Sequence, residues 1–182
     1  MRGDAREREG RSDAMGDGVS AFGETSRILA VEVAEPAGGV SADLDQERRI
    51  AVFDLVEESR FLLQEPALPG PYSLKLAADA TALRLSVTGG PDAATSRTAE
   101  IVRPVAALRE CVADYVALCA DYRDAVRRLA PSQIEKIDEA RREAHLEGGE
   151  ALAAALGDAV AMDAQTARRF FTLICAVLGD EA

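Results

Sequence analysis

Five basic side chains near the C-terminal end hold the clearest chemical potential in this sequence. Arg141, Arg142 and His145 lie within five residues of one another, and Arg168 and Arg169 follow as an adjacent pair. Guanidinium forks match the oxygens of a phosphate or carboxylate bidentately, so a convergence of these groups would form a pocket for a small anion. Against this, Asp138 stands one helical turn before Arg142 and can pair with the arginines internally, leaving an ion-paired face in place of a pocket. His145 is the only histidine, and Cys119 becomes its neighbour if the helices that carry them fold together, which suggests a thiol with a base. A free cysteine inside an apolar helical pattern reads first as a small core residue, and nothing nearby supplies an oxyanion hole. No catalytic residue is therefore assigned. No metal site or cofactor is signalled either, because Cys111, Cys119 and Cys175 form no CxxC pattern and have no second histidine to join. Asp43, Glu47 and Glu57 read as ordinary surface acids, without a glycine-rich phosphate loop or an HExxH pattern beside them.

The bulk composition narrows the setting. With 182 residues and 48% hydrophobic content, the chain can bury the core of one ordinary domain. Its formal net charge of -11 repels nucleic acid and anionic membrane surfaces, so any anion site must be local and neither is expected as a partner. The longest apolar run, FFTLICAVLG, falls well short of the roughly 20 residues a bilayer span needs, and the N-terminal segment has no apolar signal-like core. Reduced cytoplasm is the expected location.

Residues 1–24 mix charge with small residues and cannot offset the entropy of ordering, so a disordered tail is expected there, ahead of a single domain over 25–182. The sheet and a first helix are expected in 25–103, and a helical part in 104–179. RILAVEV alternates Leu29, Val31 and Val33 as a half-buried strand does. After the turn-rich EPAGGVSAD, residues 44–63 place Val52, Leu55, Val56, Ser59 and Leu62 on one helical face. EPALPGPY is an irregular connection, and YSLKLAAD with ALRLSVTGG reads as a hairpin turning at ADAT. SRTAEIV adds a short strand before Pro104, which suits the first turn of a helix.

Residues 105–129 carry an unbroken series at alternating spacings of three and four: Val105, Leu108, Val112, Tyr115, Cys119, Tyr122, Val126 and Leu129. Pro131 stops that helix, and Ser132 with Glu135 reads as a capping box that restarts another. A connection this short makes the two helices antiparallel neighbours. Folding their seams together sets Tyr122 against Arg141, Cys119 against Ala144 and Tyr115 against Gly148, where the glycine leaves room for the ring. A closing helix follows Asp163 as N-cap, with Ala167, Phe170, Leu173, Ile174, Val177 and Leu178 inward, Arg168 and Arg169 toward a rim, and Gly179 as its stop. The fold class expected is α+β: a small antiparallel sheet with one helix, then a helical hairpin and a closing helix.

The motifs GPY, DYxxxCxxY, PSQIExID, RRxxHxEG and TARRxFTLxC, in that order from about Arg27 to about Leu178, closely resemble those of uncharacterised protein family 0262, a family of short alpha-proteobacterial proteins. Arg141, Arg142, His145, Gly148, Arg168 and Arg169 stand at motif positions. The sequence departs from the family's pattern at Ala113, where lysine is usual, and at Gly149, where serine is usual. The resemblance implies a bacterial cytosolic protein and adds no chemistry. The expected function is that of a non-enzymatic interaction or regulatory protein with a protein partner. The alternative is a binder of, or an enzyme acting on, a small anionic or phosphorylated molecule through Arg141, Arg142, His145, Arg168 and Arg169.

Overall fold

The computed structural model describes residues 22–34 and 42–178. The expected tail therefore lies outside the described residues except for its last three, as do most of the EPAGGVSAD break and the proposed stop at Gly179. Six strands and four helices follow in the order β1 (Ile28–Val33), α1 (Ala42–Glu57), β2 (Phe61–Leu63), β3 (Tyr72–Ala78), β4 (Ala82–Gly89), β5 (Arg97–Pro104), α2 (Ala106–Arg128), α3 (Pro131–Leu156), β6 (Val160–Met162) and α4 (Ala164–Leu178). The fold is α+β, as its pattern of elements predicts.

The main sheet runs β1-β3-β4-β5. The β3–β4 hairpin has the predicted register, with Leu74 opposite Val87 and Leu76 opposite Leu85, and β5 continues it antiparallel. Asp79 builds the turn by accepting the Thr81 and Ala82 amides and the Thr81 hydroxyl. β1, however, pairs parallel to β3, so the sheet is mixed. The chain crosses through α1 before it returns to the sheet, and such a crossover delivers parallel neighbours. A register irregularity between Ile28 and Ala30 also breaks the expected alternation, placing Ile28 in the core and leaving Leu29 47% exposed.

Two more expectations give way. α1 ends at Glu57, six residues before the predicted end, because local backbone groups find partners elsewhere. Ser59 Oγ accepts the Ile28 amide at 2.9 Å, and the Arg60 amide donates to Thr166 Oγ1 at 2.9 Å. Residues 61–63 then form β2, paired antiparallel with β6, a strand inside the part of the chain expected to be wholly helical. Pro104 closes β5 rather than opening α2, and α3 starts at Pro131 itself. No Ser132–Glu135 capping box forms at that start. Instead the Gln133 side chain accepts the Ala130 amide at 3.4 Å.

The core gathers the inner face of the sheet, the near ends of α2 and α3, and almost the whole of α4. Tyr72 sits at its centre, donating to the Leu68 carbonyl at 2.8 Å and accepting the Leu63 amide at 3.3 Å, with its ring edge-on to Phe61. α2 and α3 form the expected antiparallel hairpin, but its far end stands clear of the body. Val126 and Leu129, seam residues by spacing, are 54% and 41% exposed.

Candidate functional site

α4 lies between α1 and α3, and the three helices enclose a cleft of about 340 Å³. Glu47, Ile50, Ala51 and Asp54 come from α1, Arg141 and His145 from α3, and Gln165, Arg168, Arg169 and Thr172 from α4. Four of the five predicted anion-pocket residues thus converge. The fifth, Arg142, lies outside the lining on the solvent side, its side chain 71% exposed. The α1 wall is not legible in the sequence, because Glu47 and Asp54 have the spacing of any solvated helical acids and only the tertiary fold turns them inward.

The four basic groups differ sharply in what they have left to give. Arg141 donates to Asp138 Oδ1 from its terminal nitrogen at 2.8 Å and lays its guanidinium 5.0 Å from the centre of the Tyr122 ring, the cation–π contact its spacing predicts. Arg142 takes the other oxygen of the same carboxylate. Hydrogen bonds from these arginines, Arg141 first, hold the Asp138 carboxyl below its ordinary range, so the internal pairing anticipated for this acid exists. Arg169 does not lie on a rim. Only 16% of its side chain is exposed, and it clasps the end of α1 by donating to the Asp54 and Glu58 carbonyls, with the Asp54 carboxylate at 3.8 Å and that of Glu58 at 3.5 Å. It therefore satisfies carbonyls that the helix terminus leaves without partners.

Arg168 is different. No acid among the described residues pairs with its guanidinium, and its Nε is buried without a hydrogen-bond partner. A buried, ionised donor left unmatched costs a large part of its desolvation energy, on the order of a few kcal/mol. The cleft it lines is where a complementary acceptor would sit.

His145 is not a flank residue but part of the packing. Its ring stacks on Tyr115 with centroids 4.9 Å apart, and Nε2 lies 3.1 Å from the Arg168 carbonyl and 2.9 Å from Thr172 Oγ1. A carbonyl can only accept, so Nε2 carries the proton and donates, and it is not a base toward Thr172. Burial, then repulsion from Arg168, lowers the His145 pKa to about 4, so the ring is neutral at physiological pH and adds no charge to the cleft. The Cys119–His145 dyad loses its chemistry for the same reason. Burial pushes the Cys119 thiol up while the imidazole is pushed down, the reverse of what a thiolate–imidazolium pair requires.

The notch at Gly148 also belongs to another partner. A Cβ there would overlap the Phe171 ring of α4, while one on Gly149 would come 3.0 Å from Arg168 Cγ and 3.1 Å from its amide nitrogen. Tyr115 reaches the same region, edge-on to Phe171, but the glycines exist for the α3–α4 crossing. Among the described residues no group of three or more potential ligands could hold a metal ion, and no helix is long and apolar enough to cross a membrane.

The family model described as Uncharacterised protein family (UPF0262) matches residues 25–179, from ahead of β1 through the end of α4. A UPF0262 protein of Chelativorans sp. (strain BNC1) is 40% identical over 152 residues, covering 82% of this chain and 91% of the relative. One from Paracoccus denitrificans (strain Pd 1222) is 42% identical over 142 residues, covering 76% and 86%, and one from Brucella canis is 39% identical over 152 residues, covering 82% and 92%. No solved structure matches the chain. With the match spanning the sheet, the helical hairpin and all three walls of the cleft, the chain belongs to the uncharacterised family UPF0262, which has bacterial members.

Proposed function

We propose that this is a non-enzymatic, cytosolic binding protein with a regulatory role, taking a small carboxylate or phosphate into the cleft between α1, α3 and α4. The observation that carries the reading is the buried Arg168 Nε without a partner at the wall of that cleft. Arg141 and Arg169 are held by their own acids and shape the walls, while neutral His145 fixes the α4 backbone through the Arg168 carbonyl. The raised Cys119 thiol and the donor role of His145 Nε2 support binding over catalysis. Three free cysteines suit a reducing compartment.

A thermal-shift screen of acetate, pyruvate, phosphate and sulfate on the full chain tests it. An anion present at a hundredfold excess over its dissociation constant stabilises the native state by about 2.7 kcal/mol. Arg168→Gln should abolish the response and Arg142→Ala should leave it intact. Indifference of the wild-type melting point to every anion, or a response that persists in Arg168→Gln, overturns the proposal.

A second reading, docking of a protein partner, draws on Ile50 and Phe53, which are 52% and 64% exposed on α1. A protein that ignores anions but forms a complex in sedimentation, dissolved by Phe53→Glu, belongs to that class.

A further inference from the structure

The cleft is not uniformly basic. Arg168 stands on the α4 wall, whereas α1 presents Glu47 and Asp54 across from it, seven residues apart and so on one helical face, with Ile50 and Ala51 between them. Arg141 is offset by Asp138, an acid outside the lining, at 2.8 Å, and Arg169 by Glu58, also outside it, at 3.5 Å. His145 contributes no charge. A phosphate or other multiply charged anion seated on Arg168 would therefore face two carboxylates, inside a protein whose net charge of -11 opposes it further. A ligand that meets both walls carries a carboxylate for Arg168 and a cationic donor for α1. The Asp54 carboxylate, 42% exposed and at 3.8 Å from Arg169 Nε, retains lone pairs for such a donor. Ile50 and Ala51 supply an apolar surface between the two charged ends, and about 340 Å³ is the scale of a small metabolite site.

From this we infer that the cleft binds a zwitterion, an α-amino acid with an uncharged side chain, its carboxylate on Arg168 and its ammonium against Glu47 and Asp54. The inference rests on the anion-binding reading and sharpens it to a substrate class. Like-charge repulsion rejects dianions, and the missing ammonium rejects simple carboxylates, so both walls take part in selection.

Calorimetry on the full chain with the uncharged L-amino acids, the des-amino carboxylate of each and orthophosphate decides it. The expected result is one or more amino acids binding at least tenfold more tightly than the matching des-amino acid and than phosphate. Glu47→Gln combined with Asp54→Asn should bring that ratio to near unity while carboxylate binding survives. Arg168→Gln should remove both. If the des-amino acid or phosphate binds as well as the amino acid, the zwitterion assignment fails and the anion site stands. If nothing binds, or if binding of the amino acid survives Arg168→Gln, both fail. Circular dichroism of the double variant guards against misfolding, and Glu47→Gln alone, which leaves the Arg169 clasp untouched, should still narrow the ratio.

Discussion

At the scale of single residues, His145 illustrates how packing removes a group from chemistry that its type would suggest. It is stacked against Tyr115, hydrogen-bonded through Nε2, and repelled when charged by Arg168 and Arg141. Its pKa falls from an ordinary 6.5 to about 4 in the folded protein. In that window the unfolded chain binds a proton that the native state refuses. The contribution of His145 to stability is therefore complete above pH 6.5 and disappears as pH drops toward 4, with a ceiling of about 3 kcal/mol. Urea midpoints measured from pH 7.5 to 4.5 should fall for the wild type and fall distinctly less for His145→Gln, the common part of the slope belonging to carboxylates. Parallel profiles would mean that the imidazole protonates in place without penalty. The same neutrality implies that binding of an anion in the cleft shows no step across the usual histidine range.

Among the elements, the parts legible in the sequence are those whose determinants are local. The β3–β4 hairpin shows in its alternation and its Asp79 turn, the α2–α3 hairpin in its spacing and Pro131, and the start of α4 in Asp163, whose Oδ1 accepts the Thr166 amide at 2.8 Å. What is hidden depends on distant partners. β2 and β6 are three residues each, too short for a pattern, and pair across nearly a hundred positions of chain. A heptad register matches two helices to each other and carries no information about a third, so it assigns Gly148 to Tyr115 although Phe171 of α4 fills its space. The basic half of the cleft is visible as residue types; its acidic half is not, since the helix pattern does not say which acids a later helix will cover.

This corrected crossing makes a prediction. Gly148→Ala gains up to about 1 kcal/mol of helix propensity but drives a methyl into the Phe171 ring, and overpacking of this kind costs roughly 1 to 3 kcal/mol. The net effect should be destabilising, and Phe171→Leu, itself destabilising, should offset part of it in a double-mutant cycle by urea denaturation. Purely additive effects would place the ring elsewhere. Gly149→Ala should be milder, because its nearest neighbour lies at 3.0 Å and belongs to the Arg168 side chain.

Over the whole molecule, stability is distributed along an axis that runs from α4 to the hairpin tip. Every residue from Phe170 to Leu178 is buried, and α4 is packed against α1, α3, α2 and β3 at once. It is the last of the described elements, yet the sheet's inner face and both flanking helices lose their shared packing surface without it. The distal hairpin is its opposite: Val126 and Leu129 are exposed, and beyond Ala125 the tip has little apolar burial to oppose fraying. Amides open at a free energy set by the burial and hydrogen bonding that each opening gives up, from near zero at frayed ends to the global value in a core element. Native-state hydrogen exchange should therefore find the Phe170–Val177 amides exchanging only through global unfolding, with a denaturant dependence equal to that of the whole protein. Amides from Val126 to Ile137 should exchange through small openings that urea barely affects. A ligand seated on Arg168 raises global stability by mass action, and should slow exchange in α4 while leaving the tip unchanged. Equal protection at the two ends, or an α4 that opens before the sheet does, would show that the closing helix docks on an already stable body, and the cleft would then be a surface that forms late and loosely.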